Sequence, residues 1–124
     1  MNLLTKTIIF GVVMTVIDIP WITFVMSKLY KSVFNIKLNK LAAGLAYLCM
    51  IITYPLIISN YETLSEQLRV AAVLGLITFG TYGFTLAAIY DKYPIENAIA
   101  ETVWGVTLFT LTTSISHYII NKLL

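Results

Sequence analysis

The chain has 124 residues, of which 59% are hydrophobic and 11% charged, with a net charge of +2. A mean hydropathy of +0.87 leaves too little polar surface to cover a soluble core, so lipid is the solvent this composition anticipates. The small positive balance is too weak to argue for a nucleic-acid partner, and with Cys49 as the one cysteine no intrachain disulfide can form.

A hydrocarbon layer of about 30 Å is crossed by roughly 20 apolar residues in a helix, and four runs reach that length. The first covers about residues 3–26. It is too long for a signal-peptide core and has no small-residue cleavage site, so it reads as a retained span. Asp18 sits late in it, followed by Pro20 and Trp21. Next comes "SKLYKSVFNIKLNK" (27–40), in which Lys28, Lys31, Lys37 and Lys40 alternate with apolar residues. That pattern suits a short segment lying on the lipid surface as an anchor.

The second span covers about residues 41–58. Ala42, Ala43, Gly44 and Ala46 give it a small-residue face for packing or dimerisation, Cys49 reads as buried filler, and Pro55 invites a kink. A polar connector (59–69) leads to the third span, about 70–90. Within it "FGTYGFTLAA" (79–88) offers the hydroxyls of Thr81, Tyr82 and Thr85 and a smooth stripe of Gly80, Gly83 and Ala87. The connector "YDKYP" (90–94) is so short that the fourth span, about 95–120, must lie antiparallel beside the third.

No run alternates polar and apolar residues as a barrel strand would, and helices satisfy their own backbone in lipid. The expectation is an all-α integral membrane four-helix bundle, with residues 1–124 forming a single transmembrane domain. Tyr30, Tyr54, Tyr61, Tyr90, Tyr93 and Tyr118 fall near span ends, as in an interfacial aromatic belt. Lys28, Lys31, Lys37, Lys40 and Lys92 share one face and Lys6, Arg69 and Lys122 the other. That balance places connector 27–40 in the cytoplasm and both termini outside.

Two acids interrupt the apolar runs: Asp18 in the first span and Glu101 in the fourth. A charge at mid-bilayer costs about 2.5 to 3.5 kcal/mol on insertion scales, so such a group faces a partner or lies shallow. Both fall in the half of the membrane next to connector 27–40, called here the loop face. Trp21 follows Asp18 by three residues and Trp104 follows Glu101 by three, so each pair shares a helix face. Gly105 adds a point of close helix approach. These elements together predict a polar pocket lined by Asp18, Trp21, Thr81, Tyr82, Thr85, Glu101 and Trp104. The alternative is that both acids bend outward to the headgroups and only cap or glue helices. His117 is a lone histidine, so no metal site is expected, and no sequence pattern for a cofactor is present.

The Asp18-x-x-Trp21 pair, the "FGTYGFT" segment and the Glu101-x-x-Trp104-Gly105 set resemble a family of small four-span bacterial membrane proteins catalogued only as a domain of unknown function. The resemblance runs through nearly the whole chain. In that family the third span typically reads tyrosine-glycine-threonine-tyrosine-aspartate-leucine-threonine-asparagine, and the fourth has aspartate before x-x-Trp-Gly. Gly80, Thr81, Tyr82 and Thr85 match, Gly83 and Leu86 depart from aspartate and asparagine, and Glu101 keeps the acid. The resemblance implies a fold and a membrane address, with no activity attached.

Three functions compete. The first is a binding or transport module that holds a polar or cationic group, or a lipid headgroup, at the two acids. The second is an assembly protein that packs through Gly80, Gly83 and Ala87 against a second copy or another membrane protein. A lipid-modifying enzyme, using either acid as general acid or base, ranks third, because no nucleophile or metal set accompanies them. Membrane lipid is the partner common to all three.

Overall fold

A computed structural model describes residues 1–26, 28 and 39–123. It contains four helices long and apolar enough to cross a membrane: Leu3–Val25, Lys40–Asn60, Leu64–Ile89 and Ile95–Leu123. Among the described residues there is no strand, and the architecture is an all-α membrane bundle. Most of connector 27–40, including the expected surface-lying segment and Tyr30, lies outside the described residues.

Side chains set where the helices start. Asn2 accepts the Thr5 N–H at 2.8 Å, and Asn39 accepts the Ala42 N–H at 3.1 Å, each supplying a partner to an otherwise unpaired first-turn amide. The third span begins at Leu64 rather than near residue 70, because Thr63 accepts the Glu66 N–H at 3.2 Å. Thr63-x-x-Glu66 is a helix-start signal that hydropathy does not register. Much of the polar 59–69 connector is therefore helical.

The prolines modulate the other ends. In the first span the α-helix stops at Pro20 and continues as a wider π-turn over Trp21–Met26. In the second span the helix Lys40–Ile51 gives way to a short turn, Thr53–Leu56, and then a 3-10 turn, Ile58–Asn60. Pro55 cannot donate to the Ile51 carbonyl, and the Thr53 hydroxyl bonds the Met50 carbonyl at 2.6 Å beside that break.

The third and fourth spans pack most closely. A methyl group on Gly75 would overlap the Gly105 backbone, and one on Gly105 would overlap Phe79 and lie 2.7 Å from the Gly75 carbonyl. One on Gly83 would lie 3.1 Å from the Ala98 Cα, and one on Gly80 would lie 3.5 Å from the Thr102 side chain. Glycine is the residue that permits this backbone-to-backbone approach. The first span lies against the fourth, and the end of the second span closes the core through Tyr54 and Ile58. Phe10 stacks on Tyr54 with ring centroids 5.0 Å apart. Met14, Ala71, Leu108 and Phe109 complete that apolar centre.

Two local expectations are corrected by this packing. Cys49 is exposed, because the helix Lys40–Ile51 buries none of its side chains. Tyr54 and Tyr93 are buried rather than in an outer belt, whereas Tyr90 and Tyr118 are exposed. Tyr54 is drawn inward because the chain turns at Pro55 and its ring fills the space over Phe10.

Candidate functional site

Asp18 and Glu101 both lie inside the bundle, 5% and 1% exposed respectively. Asp18 is held by two neutral donors from two other spans. The Trp104 indole N–H donates to Oδ1 at 2.8 Å, and the Tyr47 hydroxyl donates to Oδ2 at 2.5 Å. One carboxyl thus joins the first, second and fourth spans. Each carboxyl oxygen accepts one hydrogen bond.

Glu101 is placed differently. Its Oε1 is buried with no hydrogen-bond partner, and the buried Trp21 indole nitrogen is in the same state. The Trp21 indole N–H lies within loose hydrogen-bonding reach of the Glu101 carboxyl, outside the geometry of a well-formed bond. Trp21 stacks flat on Trp104, with centroids 4.8 Å apart and planes within 3°. The chain of contact runs from Glu101 through Trp21 and Trp104 to Asp18 and Tyr47. Position on the helices explains the assembly: Glu101, Gly105, Leu108, Phe109 and Thr112 recur at helical spacing on one buried face of the fourth span.

The structure separates the seven expected pocket residues into two groups. Asp18, Trp21, Glu101 and Trp104 come together. Thr81, Tyr82 and Thr85 face outward from the third span, with Tyr82 50% exposed. The reason lies in the glycines: Gly80 and Gly83 turn their side of the helix toward the fourth span, so the hydroxyl residues beside them point away. The tryptophans stack on each other. Their inner faces cover each other, leaving only the outer faces and edges to a neighbour.

Residues 3–118 match the family described as "Predicted membrane protein (DUF2177)". The chain belongs to this DUF2177 family. No curated protein and no solved structure matches the chain significantly. Within this DUF2177 member the packing glycines work inside one chain: Gly83 meets Ala98, Gly105 meets Gly75 and Phe79, and Ala87 is half-buried. Among the described residues, no group of three histidine, cysteine, aspartate or glutamate side chains could hold a metal ion.

Two contributors were not anticipated from the sequence. Tyr47 is one, and its signal is a phenol inside an apolar run, where a hydroxyl must find a partner. Gly75 is the other, since its role depends on the register with Gly105 across two helices.

Proposed function

We propose that this protein is a membrane binding or transport module whose receptive group is the Glu101 carboxyl, in the half of the bilayer nearest the loop face. The observation that carries the reading is a glutamate 1% exposed within a span, whose Oε1 makes no well-formed hydrogen bond and has the Trp21 indole N–H at loose reach. Buried polar groups are nearly always paired, and intramembrane acids mark functional sites by default. Asp18 already carries two protein donors, so it positions the helices. The ligand that suits two neighbouring acids and electron-rich indole edges is a small cationic or hydrogen-bond-donating group, such as an amine. Such an amine could come free from solution or on a lipid headgroup. Connector 27–40 is proposed to face the cytoplasm, from the lysine balance.

The test uses the two tryptophans, both of which belong to this cluster. Purified protein is titrated with ethanolamine in detergent, and separately reconstituted in nanodiscs with and without phosphatidylethanolamine. A saturable change in indole emission that Glu101→Gln abolishes supports the site, and the arm that produces it identifies the source. Emission indifferent to both amines, or unaltered by Glu101→Gln, contradicts it.

The assembly reading keeps one surface. Ala42, Gly44 and Ala46 on the second span are exposed, and Gly44 has open space beside its Cα. Efficient dimer capture by Gly44→Cys in membranes, with the exposed Cys49 replaced by Ser, would favour that reading over binding.

A further inference from the structure

The fourth span carries a second polar cluster on the same buried face, away from Glu101. Thr112, Thr113 and Ser116 are 0%, 1% and 1% exposed. At 100° per residue the three fall within a single arc of about 100° and little more than one turn. None of their hydroxyls has a hydrogen-bond partner among the described residues.

Elsewhere the spans solve this problem locally. Thr7, Thr15, Thr78, Thr102, Thr107 and Thr110 each donate to the carbonyl four residues earlier, all at 2.8 Å. That bond is the ordinary resource of a threonine in a helix surrounded by lipid. Thr112, Thr113 and Ser116 have the same backbone geometry at hand and leave it unused.

Depth supplies the second observation. Gly75 meets Gly105 and Gly83 meets Ala98 in an antiparallel pair. Continuing that register sets Thr112 and Thr113 level with Leu68 and Gln67, and Ser116 level with Leu64. These residues form the first turns of the third span, which starts at Leu64. The cluster therefore lies in the half of the span away from the loop face. The apolar centre of Phe10, Met14, Leu108 and Phe109 separates it from Glu101.

We propose that Thr112, Thr113 and Ser116 form a buried water-binding site in the half of the span away from the loop face. Each hydroxyl can donate and accept, and none is charged, so the niche suits a neutral species that does both. Water meets that description, and buried waters typically bond to protein groups that would otherwise be unpaired. The fourth span then has a polar station in each half and a dry plug between them. This assignment is independent of what Glu101 binds.

Two measurements test it. In water-edited solid-state NMR of the protein in liposomes, magnetisation from water is expected to reach the side chains of Thr112, Thr113 and Ser116 several times sooner than that of Leu108. Build-up as slow as at Leu108 would overturn the proposal. The near-isosteric substitutions Thr112→Val and Thr113→Val, and Ser116→Ala, probe the same point through stability. If the hydroxyls bind water, each substitution lowers the midpoint of thermal unfolding in detergent. If they are dry and unpaired, removing them raises it, and that result would also overturn the proposal. Should a variant fail to fold, the NMR measurement on the unaltered protein still decides.

Discussion

Trp104 donates its indole N–H to Asp18 across 2.8 Å, tying the fourth span to the first. Because the Tyr47 hydroxyl occupies the other oxygen, Asp18 is a junction for three spans. Removing it leaves two donors without an acceptor in a nearly dry setting. Asp18→Ala is expected to lower unfolding stability by about 2 to 4 kcal/mol, from the loss of two hydrogen bonds and the stranding of their donors. Asp18→Asn, which keeps an acceptor oxygen, is expected to cost less. Titration from mild detergent into dodecyl sulfate measures both, and equal stability of all three forms would refute the junction.

Tyr47 has a separate consequence. The helix Lys40–Ile51 buries no residue, while the end of the same span is anchored by Tyr54 and Ile58. Tyr47→Phe removes a polar tie between that helix and the bundle while keeping the ring. Faster amide exchange is expected over Lys40–Ile51, with exchange in the third and fourth spans unaltered. Exchange mass spectrometry checks this, and uniform acceleration throughout the chain would argue for a general loss of stability instead.

The glycines give a graded prediction. Gly105→Ala and Gly75→Ala would force apart the pair of helices that touch through their backbones, at a cost of about 1 to 3 kcal/mol as in other overpacked cores. At Gly44 nothing lies within 4 Å of an added methyl group, so Gly44→Ala is expected to be neutral or stabilising by about 0.5 to 1 kcal/mol. Denaturant titration of the three variants should rank them in that order.

The number of spans was legible because a helix in lipid needs a long apolar run and little else. The start of span three is not legible in hydropathy because its first turn is polar, and the Thr63-x-x-Glu66 cap marks it. Of the site, the meeting of Asp18, Trp21, Glu101 and Trp104 was legible, since an acid and a tryptophan three residues apart share a helix face. The outward turn of Thr81, Tyr82 and Thr85 was not. Helix rotation depends on which neighbour the glycines approach, and one sequence does not state the register of Gly75 against Gly105. Thr112, Thr113 and Ser116 are not legible for another reason. Threonine and serine are common in membrane helices with their hydroxyls turned back on the backbone, and only packing reveals three that are not.

The central claim is that Glu101, enclosed and unpartnered on one oxygen, holds a small bound group. Native mass spectrometry of the protein released from gentle detergent reads this directly. The wild-type chain should retain a discrete added mass that Glu101→Gln loses, while Thr81→Val, altered at an outward-facing residue, keeps it. A wild-type chain with no adduct, or the same adduct on all three proteins, would contradict the account.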